Sequence, residues 1–343
     1  MTRLNVGIDV SKDSLDMAYW EPNQNEPIYQ GKFPNTQQGF HDMLKKVEHI
    51  CQETNDTTVF VVMEPTGGYE QPFARFAINN QWQVSLPNPY RVKMWAVATG
   101  IRAKTDKHDA KTLAHYGFMQ DPHQWKPLPP EVEELKYLLD RLTDQQESLQ
   151  REKNRLEKYE KQDNVPKAAL RDLKQSIAFL ERHILQIQEA IREHLKAHPQ
   201  LKQQRKLLLT VPGVGQKNVL HILVMLHRWL ALTDGEIDMR ESMKGLVAYV
   251  GLDPKPHESG TSVRKRAGIS RQGNRPFRSR LFMSALGGVT GDSPLSNFYK
   301  RLVGRGKAKK LALVAASRKI LIWSWAVFVN NTPFDASRFE YNH

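Results

Sequence analysis

Four acidic residues, Asp9, Glu64, Asp106 and Asp109, stand where carboxylates can converge. Asp9 breaks the apolar run Leu4-Asn5-Val6-Gly7-Ile8 and is followed by Val10-Ser11-Lys12. Glu64 ends a second such run, Val59-Phe60-Val61-Val62-Met63, and precedes the turn string Pro65-Thr66-Gly67-Gly68-Tyr69. Asp106 and Asp109 are three apart in Lys104-Thr105-Asp106-Lys107-His108-Asp109-Ala110, where a helix is expected to start, so both fall on one helical face. Hard cations such as Mg²⁺ are held by a few carboxylates plus substrate phosphate oxygens, and paired ions serve in-line phosphoryl transfer. Taken singly, a carboxylate at a strand end is more often a cap or an ion-pair partner than a metal ligand, and Asp106 would suit the positive end of its helix. The set, gathered in the first third of a basic chain, points to a metal-dependent nucleic-acid enzyme.

A second constellation lies at 245–282. Gly245-Leu246-Val247-Ala248-Tyr249-Val250-Gly251-Leu252 leads to Glu258-Ser259-Gly260 and then to a basic stretch. Eight basic residues fall between Lys255 and Arg280 against one acid, Glu258, and they include Arg264, Lys265, Arg266, Arg271, Arg275 and Arg278. A charge run is usually a solvated face. Here Gly, Ser and Thr are interleaved with it, as in loops that track a phosphate backbone. Ser259 has little crowding beside it, and a serine nucleophile needs help to lose its proton; read alone, it is a turn-forming residue. Upstream, Leu209-Thr210-Val211-Pro212-Gly213-Val214-Gly215-Gln216-Lys217 has the form of a helix-hairpin-helix turn. Such a turn offers backbone N–H groups to a phosphate near Gly213, Gly215 and Lys217. A further basic stretch from Arg301 to Lys319 runs into an apolar helix at 320–329, read as a helix docked on the core. Neither a nucleotide P-loop nor an HExxH motif is present.

These residues need positioning elements. Strands are expected near 4–9, 17–20, 59–64 and 83–86, with helices near 39–51 and 70–79 and another opened by Asn88-Pro89-Tyr90. That alternation implies a mixed α/β sheet with its site at strand ends. Pro127-Leu128-Pro129-Pro130 marks a boundary. Beyond it Leu135, Leu138, Leu142, Leu149 and Leu156 follow a 3-4 repeat interrupted by Gln145 and Glu152. After Asn164-Val165-Pro166 comes a second apolar series, Ile177, Leu180, Ile184, Ile187, Ile191 and Leu195. Two long amphipathic helices folded back as an antiparallel hairpin are expected, serving either as an internal spacer or as a dimerisation arm.

The composition narrows the partners. The chain has 343 residues, long enough for two or three units, with 50 Lys+Arg against 37 Asp+Glu and a formal net charge of +13. Such an excess favours polyanions, nucleic acid among them. No stretch of 18 uninterrupted apolar residues and no signal-peptide pattern occurs, so a cytoplasmic protein without a membrane span is expected. A single cysteine, Cys51, leaves no partner for an internal disulfide and no Cys-based zinc cluster.

Over essentially its full length the chain resembles the DEDD-type insertion-sequence transposases of the IS110 family, described as bridge-RNA-guided recombinases. The resemblance is carried by Gly7-Ile8-Asp9-Val10-Ser11-Lys12, Glu64-Pro65-Thr66-Gly67-Gly68-Tyr69, Lys104–Ala110 and Pro212-Gly213-Val214-Gly215. It continues through Tyr249-Val250-Gly251-Leu252, Glu258-Ser259-Gly260, Gly273-Asn274-Arg275 and Pro333-Phe334-Asp335-Ala336-Ser337-Arg338. It implies an α/β RuvC-like (RNase H-type) domain over 1–126, a helical coiled-coil insertion over 127–200, and a mainly α C-terminal transposase domain over 201–343. It further implies that Asp9, Glu64, Asp106 and Asp109 bind Mg²⁺, with Mn²⁺ as a substitute, and that Ser259 attacks DNA to give a covalent phosphoserine intermediate. Donor and target DNA, a guide RNA encoded by the same element, and a dimer assembling to a tetramer are the implied partners, in a prokaryotic, nucleoid-associated setting.

Other readings stay open at this level. A RuvC-like Holliday-junction nuclease would use metal-activated water and leave Ser259 idle. A non-catalytic nucleic-acid scaffold would keep the fold and the basic surface. An actin-like kinase would share Gly7-Ile8-Asp9-Val10-Ser11, but glycine-rich phosphate loops are missing.

Overall fold

A computed structural model describes residues 3–21, 26–100, 106–233, 239–259 and 263–339; for 106, 239–241, 255–259, 263–267 and 338–339 it describes the backbone alone. The chain divides into two compact units, Met1–Pro127 and Leu128–His343.

The first unit is built on strands β1 (Arg3–Val10), β2 (Ser14–Trp20) and β3 (Ile28–Pro34), helix α1 (Gln37–Thr54), strand β4 (Thr58–Met63), helix α2 (Gln71–Asn79), strand β5 (Gln83–Ser85), and helices α3 (Pro89–Ala98) and α4 (Asp106–Gln120). The sheet order is β3-β2-β1-β4-β5. β1, β2 and β3 pair antiparallel, whereas β1, β4 and β5 run parallel. Successive side chains of a strand point to opposite faces, and the apolar residues of β1 and β4 divide accordingly. Leu4, Val6, Ile8 and Val10, with Val59, Val61 and Met63, join Phe40, Met43, Val47 and Ile50 of α1 and Phe73 and Ala77 of α2. On the other face Phe60 and Val62 meet Val92 of α3 and Leu113 and Tyr116 of α4. Burial from both sides makes these strands near-continuous apolar runs, the pattern of a covered parallel core.

Strand β3 is absent from the sequence expectation. It lies at the sheet edge, and its sequence Ile28-Tyr29-Gln30-Gly31-Lys32-Phe33-Pro34 is partly exposed on both faces, so no clean alternation marks it. Strand β2 begins at Ser14, three residues before the expected start, and thereby takes in Asp16.

The second unit comprises α5 (Pro130–Glu160), α6 (Lys167–Ala197), α7 (Pro199–Leu208), α8 (Val219–Leu232), α9 (Met239–Val250), β6 (Pro254–Ser259), β7 (Val263–Ile269), α10 (Arg275–Gly288), α11 (Pro294–Gly304) and α12 (Lys309–Asn330). Helices α5 and α6, each 31 residues and about 46 Å long at ~1.5 Å per residue, form the expected antiparallel hairpin. The cross-helix pairs Lys153–Glu181 at 2.7 Å and Lys174–Glu160 at 3.4 Å run in opposite sequence directions, as that arrangement requires. The foot of the hairpin (Val132, Leu135, Leu139, Ile191, Leu195) shares one core with α7, α8, α10 and α12.

One expectation is corrected here. The basic segment read as loops is a β-hairpin, because residues 254–259 and 263–269 pair antiparallel around a short connection. The C-terminal helix expected to dock on the core is α12, which begins at Lys309 within the basic stretch and buries Ala312, Ala316, Ile320, Leu321, Trp323 and Trp325, while Arg301 lies on α11. By length and composition α12 would span a membrane, but 61% of its apolar window is buried within this unit, where it is the central core helix.

Candidate active site

Asp9 and Glu64 meet through strand register. The parallel pairing of β1 with β4 ends at Ile8 opposite Met63, so the next residue on each strand is an acid. Neighbouring strands lie about 4.8 Å apart. Alternation places Asp9 on the same face as Gly7 and Glu64 on the same face as Val62, the face covered by α4.

Helix α4 brings the second acidic pair to that edge. A β-carbon on Gly7 would lie 2.1 Å from the Ala110 carbonyl oxygen and 2.2 Å from the Ala114 amide nitrogen, so α4 rests directly on β1 at the residue two before Asp9. Just past the C-terminal end of α4, Asp121 pairs with Arg3 at the start of β1, with Nη1 2.6 Å from Oδ1. The helix therefore runs antiparallel to β1, and its first turn, bearing Asp106 and Asp109, lies toward the end where Asp9 and Glu64 emerge. Asp9, Glu64 and Asp109 are all half-buried. All four positions gather at the carboxyl ends of the central parallel strands. An all-oxygen set of this kind fits Mg²⁺ or Mn²⁺.

Three residues that the sequence reading passed over shape this edge. Asp16 pairs in register with Asp9 on β2 and faces the same side, yet it is only 4% exposed. Its Oδ1 accepts the Tyr29 hydroxyl at 2.6 Å and its Oδ2 lies 3.5 Å from the Lys32 ammonium, so its charge is taken up within the sheet. Asn35, just after β3, donates from Nδ2 to the Ser11 carbonyl at 3.0 Å and to the Tyr69 carbonyl at 3.2 Å. One amide thus ties the loop following Asp9 to the loop following Glu64. Glu70 holds the latter from within: its Oε2 accepts the Thr66 N–H at 3.0 Å, the Thr66 hydroxyl at 3.1 Å and the Gly68 N–H at 2.9 Å. The turn string Pro65–Tyr69 was the available signal, since amides in a tight turn need an acceptor nearby.

Burial pushes the Glu70 carboxyl up, but the hydrogen bonds it accepts from its own backbone N–H, from the Thr66 backbone, from the Gln71 side chain and from the Gly68 backbone outweigh this, and its pKa is lowered. A depressed carboxyl contributes stability that is present above its ordinary value of 4.5 and lost as pH falls through the folded-state value. Glu70→Gln is expected to cost about 1–3 kcal/mol at neutral pH and to flatten the acid limb of stability below the ordinary carboxyl range. Urea melts of both proteins at neutral and acid pH measure this; equal loss at both would contradict the charge role.

Ser259 belongs to the second unit. It ends β6 and pairs with Val263, the last rung before the connection, while Gly260, Thr261 and Ser262 lie outside the described residues. The root of this hairpin is closely fixed. Ser270 N–H donates to the Asp253 carbonyl at 2.9 Å. A β-carbon on Gly273 would meet the Tyr249 carbonyl oxygen at 2.3 Å, so only glycine lets the chain pass there. Asn274 caps α10 by accepting the Phe277 N–H at 2.9 Å, and the Arg278 guanidinium donates to the Val250 carbonyl at 2.9 Å. Burial first, and then the charges of Arg271 and Arg275, lower the Arg278 pKa from its ordinary value. Three arginines thus cluster at the hairpin root, Arg271 and Arg275 exposed and Arg278 turned partly inward.

The remaining expected nucleic-acid contacts divide. Gly215 and Lys217 are exposed in the turn between α7 and α8. Gly213 is packed inward, since a β-carbon there would meet Ile320 at 2.8 Å and Leu295 at 3.0 Å. Arg264, Lys265 and Arg266 lie on β7, described by backbone alone, and Lys104 lies outside the described residues.

Two family models match the chain: the DEDD transposase model of IS110 over residues 6–162, and the transposase model of the IS116/IS110/IS902 family over residues 205–300. The pilin gene-inverting proteins of Moraxella lacunata and Moraxella bovis are each 33% identical over 342 residues, covering 98% of this chain and 98% of theirs. An insertion element IS110 protein of 43.6 kDa from Streptomyces coelicolor is 28% identical over 142 residues, 41% of this chain and 32% of that protein.

Proposed function

Since the chain belongs to the IS110 family of transposases, and so is an enzyme of DNA recombination, we propose that its first unit is a RuvC-like, RNase H-type domain whose Asp9, Glu64, Asp106 and Asp109 hold Mg²⁺, or Mn²⁺ in its place, and that Ser259 attacks the DNA backbone. The observation carrying this is the register of β1 with β4 beneath α4, which gathers four acidic positions at one sheet edge. Divalent ions bound there would neutralise charge on the scissile phosphate and stabilise the leaving oxygen.

The chain's own residues perform the rest. The Ser259 hydroxyl loses its proton as its Oγ bonds to phosphorus. The bridging P–O bond of the DNA breaks, and the leaving oxygen takes up a proton. The phosphodiester is kept as a phosphoserine, so the reverse attack rejoins strands without an external energy source. Inversion of a gene, for which the Moraxella relatives are named, requires that every cut strand be rejoined, and this chemistry supplies that. Arg264, Lys265, Arg266, Arg271, Arg275 and Arg278 border the serine hairpin and would neutralise the DNA backbone. Gly215 and Lys217, exposed in the turn before α8 that Gly213 shapes from its inner side, would add a second backbone contact, and Lys104 precedes the acidic helix.

Domains over 1–126, 127–200 and 201–343 take catalytic, arm and serine-bearing roles in this reading. The α5–α6 hairpin is a coiled-coil dimerisation arm, consistent with Tyr137, Phe179 and Leu185 exposed along it. Dimers pair into a tetramer with acids and serine from different subunits, acting on donor and target DNA in the nucleoid. An RNA from the same element selects both DNAs by base pairing. Given Mg²⁺, both duplexes and RNA transcribed from the sequence flanking its gene, the chain is expected to join the two DNAs. Omitting either Mg²⁺ or the RNA should abolish joining. Joining without RNA would remove the guide from this account, and joining in excess chelator would remove the ion.

A further inference from the structure

At the foot of the helical hairpin, two histidines and a carboxylate come together from α5, α6 and the corner that follows α6. His194 stands in the last turn of α6, and His198 marks the corner where α6 gives way to α7. The His198 N–H donates to the His194 carbonyl at 3.1 Å, which continues the helical ladder and keeps the two side chains on one side. Their ring centroids are 4.5 Å apart. The His194 side chain is only 8% exposed, whereas Glu134, on the first turns of α5, is open to solvent.

The hydrogen bonding fixes which atoms face the centre. His194 Nε2 lies 2.7 Å from the Glu131 carbonyl oxygen. A carbonyl only accepts, so Nε2 carries the hydrogen and the lone pair of a neutral ring sits on Nδ1. That Nδ1 is 3.5 Å from Glu134 Oε2. Two acceptors turned toward each other repel, and His198 adds a third, since ligand atoms of all three side chains lie within 4.8 Å of one another. A cation among them converts the repulsion into coordination. The 3.5 Å nitrogen–oxygen separation is close to the edge of a tetrahedron whose metal–ligand bonds are about 2.0–2.1 Å.

We propose that Glu134, His194 and His198 bind a divalent ion of the zinc class, with a fourth position open to water. Two imidazoles and one carboxylate suit such an ion, whereas an all-carboxylate set suits Mg²⁺. The Glu131 carbonyl is the outer partner that fixes the His194 tautomer. An ion here pins the start of α5 and the end of α6 to the start of α7, the helix leading into the Gly213–Gly215 turn. Gln200 Nε2 already reaches Glu131 Oε1 across the same junction at 3.4 Å.

The test uses the full chain, stripped of metal and equilibrated with excess Mg²⁺, then titrated with Zn²⁺ against a coloured zinc chelator. One zinc per chain is expected. Glu134→Gln and His198→Gln, neither of which empties the core, should each weaken binding about tenfold or more, and Asp9→Asn should leave it unchanged. Zinc should raise the melting temperature of the wild type and not that of the two variants. Absence of zinc uptake by the wild type would overturn the proposal. Wild-type affinity in both variants, or loss of binding in Asp9→Asn, would overturn it as well.

Discussion

Asp9→Asn is expected to lower DNA cleavage by roughly three orders of magnitude while leaving the first unit folded. The substitution keeps the shape of the side chain and removes its charge, and a neutral amide is a poor replacement for a carboxylate among hard-cation ligands. The sheet offers no substitute. Asp16 is the adjacent acid on the same face, but Tyr29 and Lys32 already engage it. Cleavage of labelled DNA in Mg²⁺, beside a thermal melt of each protein, separates chemistry from folding. Cleavage near the wild-type rate would show that the four acids are not the catalytic centre.

The second large effect is expected at a residue with no chemistry of its own. Gly7→Ala places a methyl 2.1 Å from the Ala110 carbonyl oxygen, 2.2 Å from the Ala114 nitrogen and 2.8 Å from the Leu113 carbonyl carbon. These are backbone atoms of α4, so no rotamer change relieves the overlap and the helix must lift. We expect a loss of about 3 kcal/mol together with loss of cleavage, because the lifted helix carries Asp106 and Asp109 away from Asp9 and Glu64. Gly117→Ala on the same helix is the comparison. Its β-carbon meets the Val62 side chain at 2.8 Å, which has some freedom to shift, and a smaller loss is expected. Denaturant unfolding of the three proteins measures the difference. A Gly7→Ala protein as stable and active as the wild type would contradict the role assigned to α4.

The acids were legible because each interrupts a pattern. Asp9 and Glu64 stop apolar runs, and Asp106 and Asp109 share a helical spacing at a helix start, so their types and positions suffice to group them. What brings them together was not legible. The register of Ile8 with Met63 and the seating of α4 on Gly7 are relations between segments distant in sequence. Asn35 and Glu70 escaped notice for a related reason: both act on backbone groups of loops, and an acceptor for a turn amide has no fixed sequence offset. Asp16 precedes Met17-Ala18-Tyr19-Trp20, the apolar run that marks the second strand in the sequence, so nothing local places it in the sheet. Strand β3 hid at the sheet edge, where half-exposure blurs alternation. In β7, Arg264, Lys265 and Arg266 masked strand character behind charge, so a paired hairpin looked like a loop. Helix α12 was legible as a core helix from its apolar run, but burial almost all round leaves no amphipathic face to mark where it starts. By contrast, the two hairpin helices and the glycine turn between α7 and α8 followed local patterns, and the structure places them at the expected residues.

A covalent bond between Ser259 and DNA is the step on which the proposed function stands, and trapping reads it out. The protein is incubated with Mg²⁺, labelled donor and target DNA and the RNA flanking its gene, then denatured and resolved by size beside Ser259→Ala. A denaturant-resistant protein–DNA adduct is expected in the wild type and none in Ser259→Ala, with strand exchange lost in that variant. Cleavage without an adduct, and unchanged by Ser259→Ala, would contradict that step and assign the attack to water at the carboxylates.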